Sequence, residues 1–118
     1  MKNFKKTTVE KDAARTELHE LLNLTGSEIS VNTMPAGGQI PFVHQHTKNE
    51  EVYTVLSGKG IMNIDDEDIT LNVGDWLRVD ASAKRQLRAA DDSAITYICI
   101  QTKAGSIGGF TANDAIIL

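Results

Sequence analysis

A single cysteine, Cys99, stands among the 118 residues, so no disulfide can form within the chain and a four-cysteine zinc site is excluded. Basic charge is also short: 12 Lys and Arg against 16 Asp and Glu leave a net charge of −4. A general grip on nucleic acid or anionic lipid needs a basic surface, so no nucleic-acid partner is expected. The lysines at 2, 5, 6 and 11 read as a solvated end, not a binding arm. No apolar run approaches the roughly 20 residues of a membrane-spanning helix, and the charged start is not followed by the apolar stretch of a secretory signal. The expectation is a cytoplasmic protein with no membrane partner. Solenoid repeats and low-complexity tracts are missing too.

What is present is an ordinary globular mixture, 41% apolar and 24% charged, long enough for one domain over residues 1–118 with its own core. The first element reads as a helix over about 8–23. Thr7 and Glu10 have capping-box spacing, Ala14, Leu18, Leu21 and Leu22 form one apolar stripe, and Gly26 suits the left-handed position that closes a helix. From residue 28 the period becomes strand-like. Strands are predicted at Glu28–Met34, Ile40–His46, Glu51–Leu56, Ile61–Ile64, Ile69–Val73, Trp76–Val79, Arg85–Arg88 and Ala94–Gln101. Ser57-Gly58-Lys59-Gly60 reads as a tight hairpin, and the acidic cluster at 65–68 as a solvated turn. Short strands at regular turn spacing with no helix between them predict an all-β, antiparallel sandwich or barrel over about 28–103. A Gly-rich, then apolar tail follows at 104–118, and its end is expected to dock on its own fold or on a partner.

The chemistry concentrates at 38–58. His44 and His46 are two apart, so in an extended segment both imidazoles project from one face and can reach one point. Glu50 and Glu51 are adjacent and point to opposite faces, so only one of them can share the histidines' side. Imidazole and carboxylate ligands of this kind suit iron, manganese, nickel or zinc. By the same alternation Tyr53 shares the inward face with Glu51 and Val55, either lining a cavity or packing in the core.

These residues resemble the cupin superfamily. Its first motif runs Gly, five residues, His, one, His, three or four, Glu, six, Gly, and Gly38, His44, His46, Glu51 and Gly58 fit it. The resemblance covers roughly residues 28–103. It implies a double-stranded β-helix jelly roll, selects Glu51 over Glu50, and makes His44, His46 and Glu51 a metal-ligand set. It also implies a homodimer, for which the apolar tail is a second reason. The second motif departs: from Gly74 its later slots hold Asp80, Ser82, Arg85 and Ala89. Arg85 occupies the place of the last metal-binding histidine and cannot coordinate a cation. It reads either as a cation aimed into the cavity, pairing Glu51 and binding an anionic small molecule, or as a surface residue of a short edge strand.

Three functions are compatible with this pattern: a binder of a divalent metal or small anionic ligand, a metal-dependent oxygenase or isomerase, and a non-catalytic regulatory module. In the enzyme, Arg85 would anchor substrate and Tyr53 would serve as acid or base. His19 is expected to be solvated, Cys99 to be a small buried hydrophobe, and Trp76 to pack inside the sandwich or on the helix.

Overall fold

The computed structural model describes residues 3–108 and 113–118. Among the described residues seven strands are formed, β1 (Arg15–Glu17), β2 (Glu28–Met34), β3 (Asn49–Ile64), β4 (Glu67–Asn72), β5 (Trp76–Val79), β6 (Arg85–Ala89) and β7 (Ile95–Lys103), with one short helix, α1 (Leu18–Leu22). Every strand pairing is antiparallel. β3 is the spine. Its first half pairs β7 and β5 in a sheet ordered β1-β2-β7-β3-β5, and its second half lies between β4 and β6 in another sheet. The strand path does not close on itself, so the expected barrel is an open two-sheet arrangement, with β1 and β5 at the edges of one sheet and β4 and β6 at the edges of the other.

The hairpin expected at 57–60 is absent because β3 runs straight through it. The register shifts between Val55 and Ser57, so a bulge redirects the strand from one sheet to the other. Gly58 takes φ +80°, and a Cβ there would collide with the Ala94 carbonyl. That glycine serves a strand crossing, not a turn. The tight turn comes next, at Asp65-Asp66, both with positive φ, as a two-residue turn between paired strands requires.

The N-terminal helix is the largest departure from expectation. Asp12 has φ 65°, which breaks any helix started at Thr7, and Arg15–Glu17 pair with Ser30–Asn32 along the β2 edge. Backbone hydrogen bonds to an open edge are satisfied there without any need for an apolar face. Helical geometry survives over only five residues with none buried, and Asn23, not Gly26, takes the left-handed cap. Segment 40–46 is not a full strand either. It touches β6 through the bridges Gln39–Arg88 and His44–Arg85, with Pro41, which has no N–H to give, between them.

The apolar core gathers Val55, Met62, Leu71, Val79, Leu87, Ala89 and Ile95 between the sheets. Trp76 is 67% exposed on β5 and packs in neither expected place. Ile116, Ile117 and Leu118 are fully exposed, so this end is not docked on its own fold. Residues 109–112 of the expected tail lie outside the described residues. No helix of the described residues is long and apolar enough to cross a membrane.

Candidate metal and ligand site

The polar site forms where the two sheets face each other. Glu51 projects inward from the first half of β3 and is 2% exposed, with Tyr53 and Val55 buried on the same face. His44 and His46 come from the segment beside β6. Its hold on the scaffold is backbone: His44 and Arg85 exchange N–H···O bonds of 3.1 and 2.9 Å, and His46 N–H donates to Ala81 O at 2.8 Å. The imidazoles meet edge to face with centroids 5.2 Å apart. Phe42, two residues earlier and on the same side, packs edge-on against His44 at 5.6 Å. One ligand atom from each of His44, His46 and Glu51 falls within 4.8 Å of the others.

The Glu51 carboxylate divides its oxygens. Oε1 accepts from Tyr53 Oη at 2.7 Å and from Arg85 Nη1 at 3.1 Å. Oε2 faces His46 Nε2 at 3.3 Å and accepts from Cys99 Sγ at 3.3 Å. Arg85 is 1% exposed, so it is not a surface residue. Its Nη2 donates to the carbonyls of Asp80 and Ala81. Gln86 turns the other way, donating to Ile40 O at 2.8 Å. Burial pushes the Tyr53 phenol and the Cys99 thiol far above their ordinary values, so both stay protonated donors toward Glu51. Burial also holds the His44 imidazole below 6.5, with Glu51 opposing and Arg85 and His46 reinforcing the shift. A neutral imidazole is the form that ligates metal.

The residues fit a metal ion. His46 Nε2 is buried without a hydrogen bond although a carboxylate oxygen lies 3.3 Å away. That is the signature of two groups converging on a third. Ligand atoms each about 2.1 Å from an ion and about 90–110° apart stand about 3.0–3.4 Å from one another. His44 Nε2 is further off, 3.8 Å from Glu51 Oε1. Arg85 and Tyr53 take up Oε1, as outer partners of a ligating carboxylate do, while Oε2 accepts one thiol bond from Cys99 and keeps a lone pair to offer an ion. The Arg85 charge, 3.1 Å from Glu51 Oε1, would oppose a cation held by the same carboxylate.

These groups open on a cavity of about 390 Å³ lined by the site residues, by Ile40, Phe42, Leu87 and Tyr97, and by Arg15 and Gln101. It is large enough for a small organic molecule. Glu50, on the opposite face of β3, takes no part in it, as alternation requires. Phe42, Cys99 and Arg15 are among the lining groups that sequence reasoning missed. Phe42 was readable from its spacing to His44, and Cys99 from its register opposite Tyr53, which needs the β3–β7 pairing to be known. Arg15 carried no signal, because its segment reads as helix.

The motif, the two-sheet fold and the clustered ligands define the class. The cupin domain family matches residues 30–101, and the chain belongs to that family. A cupin protein from Bacteroides fragilis, known from its crystal structure, is 53% identical, with a TM-score of 0.96 over 100% of this chain and 99% of that one. A sugar phosphate isomerase of the cupin superfamily from Silicibacter pomeroyi is 18% identical, with a TM-score of 0.67 over 76% of this chain and 60% of that one. A predicted oxalate decarboxylase from Thermotoga maritima is 17% identical, with a TM-score of 0.59 over 64% of each chain. At such identities the likeness is one of fold alone. An uncharacterized protein of Methanocaldococcus jannaschii is 24% identical over 66 residues, which are 56% of this chain and 52% of that protein. The match thus spans about half the length of that relative.

Proposed function

We propose that this cupin binds a divalent transition metal through His44, His46 and Glu51 and holds a small, anionic organic molecule in the adjoining cavity. The observation that carries the reading is the buried, unbonded His46 Nε2 facing Glu51 Oε2. Iron, manganese, nickel and zinc all suit two imidazoles and a carboxylate. With three protein ligands, coordination positions stay open, and a bound ion would supply Lewis-acid or redox chemistry of the oxygenase or isomerase type. Arg85 and Tyr53 hold Glu51 Oε1, keep the carboxylate in one orientation, and form the polar wall that a ligand meets.

The test is elemental analysis of protein purified without chelators, beside the His44→Ala/His46→Ala double variant. Near-stoichiometric metal that disappears in the variant supports the site. Absence of metal in both, even after incubation with excess divalent ions, overturns it.

A metal-free reading has one specific support, the 3.1 Å Arg85–Glu51 ion pair. In it the guanidinium permanently supplies the cation, and the same experiment separates the two. We further propose a cytoplasmic homodimer. Leu56, Val73 and Trp76 are exposed at 51%, 61% and 67% around the junction of β3 with β5, and the C-terminal Ile116, Ile117 and Leu118 are exposed as well. Light scattering should give a mass of two chains, falling to one in Trp76→Glu. A monomeric wild type would refute the dimer.

A further inference from the structure

We propose that Arg15 is the carboxylate anchor of the cavity, selecting small organic acids with an apolar body whose far end reaches the His44–His46–Glu51 group. The inference rests on reading this cavity as a ligand site and deepens that reading by naming the ligand class. It does not require the metal.

β2 turns polar side chains inward. Ser30 and Asn32 are 2% and 3% exposed, and burying such groups costs stability unless they are hydrogen-bonded. Their bonds form one chain: Asn32 Nδ2 donates to Ser30 Oγ at 3.0 Å, and Arg15 Nη1 donates to Asn32 Oδ1 at 3.0 Å. At the other edge of the guanidinium, Arg15 Nε donates to Glu17 Oε1 at 2.9 Å. The guanidinium is thus bonded through Nη1 to a buried amide and through Nε to a half-exposed carboxylate, while Nη2 has no partner among the described residues. A planar cation held this way offers its outer N–H edge to a planar anion, the geometry a carboxylate matches.

Arg15 lines the same cavity as the metal-ligand set. In the ladder it stands opposite Asn32, which stands opposite Tyr97. Burial pushes the Tyr97 phenol up to about 12, so at neutral pH it remains a donor on that wall. The same cavity is lined by Ile40, Phe42 and Leu87, which favour hydrocarbon over a second charge. Arg85 is the less available cation, since Nη1 serves Glu51, Nη2 serves two backbone carbonyls, and only the buried Nε has no partner among the described residues. A ligand that fits is therefore charged where it meets Arg15, apolar in its remaining body, and small enough for about 390 Å³.

The experiment measures binding of phenylacetate and hexanoate, each beside its amide, and of phenyl phosphate, by calorimetry. The proteins are wild type, Arg15→Gln, Arg15→Lys and His44→Ala/His46→Ala, with metal content determined for each. Wild type should prefer each acid over its amide by about tenfold or more. Arg15→Gln should abolish that preference and Arg15→Lys keep part of it, at unchanged metal content. If Arg15→Gln unfolds, Arg15→Lys decides, because only a lost fork geometry weakens the acid while the amide still binds. No acid preference in wild type, an undiminished preference in the variants, or tighter binding of phenyl phosphate overturns the proposal. Metal absent from every protein while acid preference still follows Arg15 would uphold it and refute the metal site instead.

Discussion

The two halves of β3 point side chains into the same interior and meet opposite surroundings. Before the bulge, Glu51 and Tyr53 face Cys99 of β7, with Ser30 and Asn32 of β2 further across the same sheet. After it, Met62 faces Leu87 of β6 and Ile69 of β4. One half is a polar chamber with a few hydrogen-bonded charges; the other is a close-packed apolar block. The lesson concerns division of labour. Two imidazoles, a carboxylate and a guanidinium concentrated at one end must be stabilised by apolar burial elsewhere in so small a chain. The strand that carries Glu51 is also the strand that buries Met62.

Substitutions can break this contrast or sharpen it. The largest effect is expected from Arg85→Met, which strands the buried Glu51 charge; removing one partner of a buried ion pair costs about 3–5 kcal/mol. Urea unfolding reads the loss, and added manganese should recover more stability in this variant than in wild type, because an ion replaces the missing cation. Equal response in the two proteins would refute competition between Arg85 and a metal. Met62→Ala, in the apolar half, should cost about 2–5 kcal/mol through lost transfer energy and an unfilled cavity, yet leave the metal content of folded protein unchanged. If metal is lost as well, the two halves are not separable. Tyr53→Phe removes one donor to a charged acceptor and should cost about 1.5–3 kcal/mol, with Arg85 still holding Oε1. Smallest is Arg78→Ala on the outer face of β5. Its ion pair with Asp80 is about two-thirds exposed on both sides, and such pairs are worth less than about 1 kcal/mol.

Legibility followed the range of the interactions. Strands β2 and β4 to β7 were readable within a residue or two because alternation and turn residues are local. The long β3 was not, since Gly58 has the same sequence appearance in a hairpin as in a bulged crossing, and only the nearby Ala94 carbonyl distinguishes them. The N-terminal segment failed for the complementary reason. Its helical stripe is real, but an open β2 edge offers Arg15–Glu17 backbone partners that an isolated amphipathic turn cannot match. Tyr53, turned inward beside Glu51, was reached by alternation alone. Trp76 was expected inside because it is large and apolar, whereas its place on β5 is fixed by pairing with Thr54, which sets it on the outer face.

The sequence by itself determined the antiparallel all-β class, and it set His44 and His46 on one side, because spacing of two in extended chain is a property of the backbone; the motif resemblance gave the family and added Glu51 to them. Tertiary structure decided what those groups touch. It turned Arg85 inward onto Glu51, set Cys99 and Tyr53 on the two carboxylate oxygens, and placed Arg15 at the cavity wall. Those contacts join residues 34, 48 and 17 positions apart or run between neighbours on one face. Apart from the last, they exist only once strands distant in sequence have come together: Cys99–Glu51 and Arg15–Asn32 join paired strands of one sheet, and Arg85–Glu51 joins one sheet to the other, which no local rule brings about.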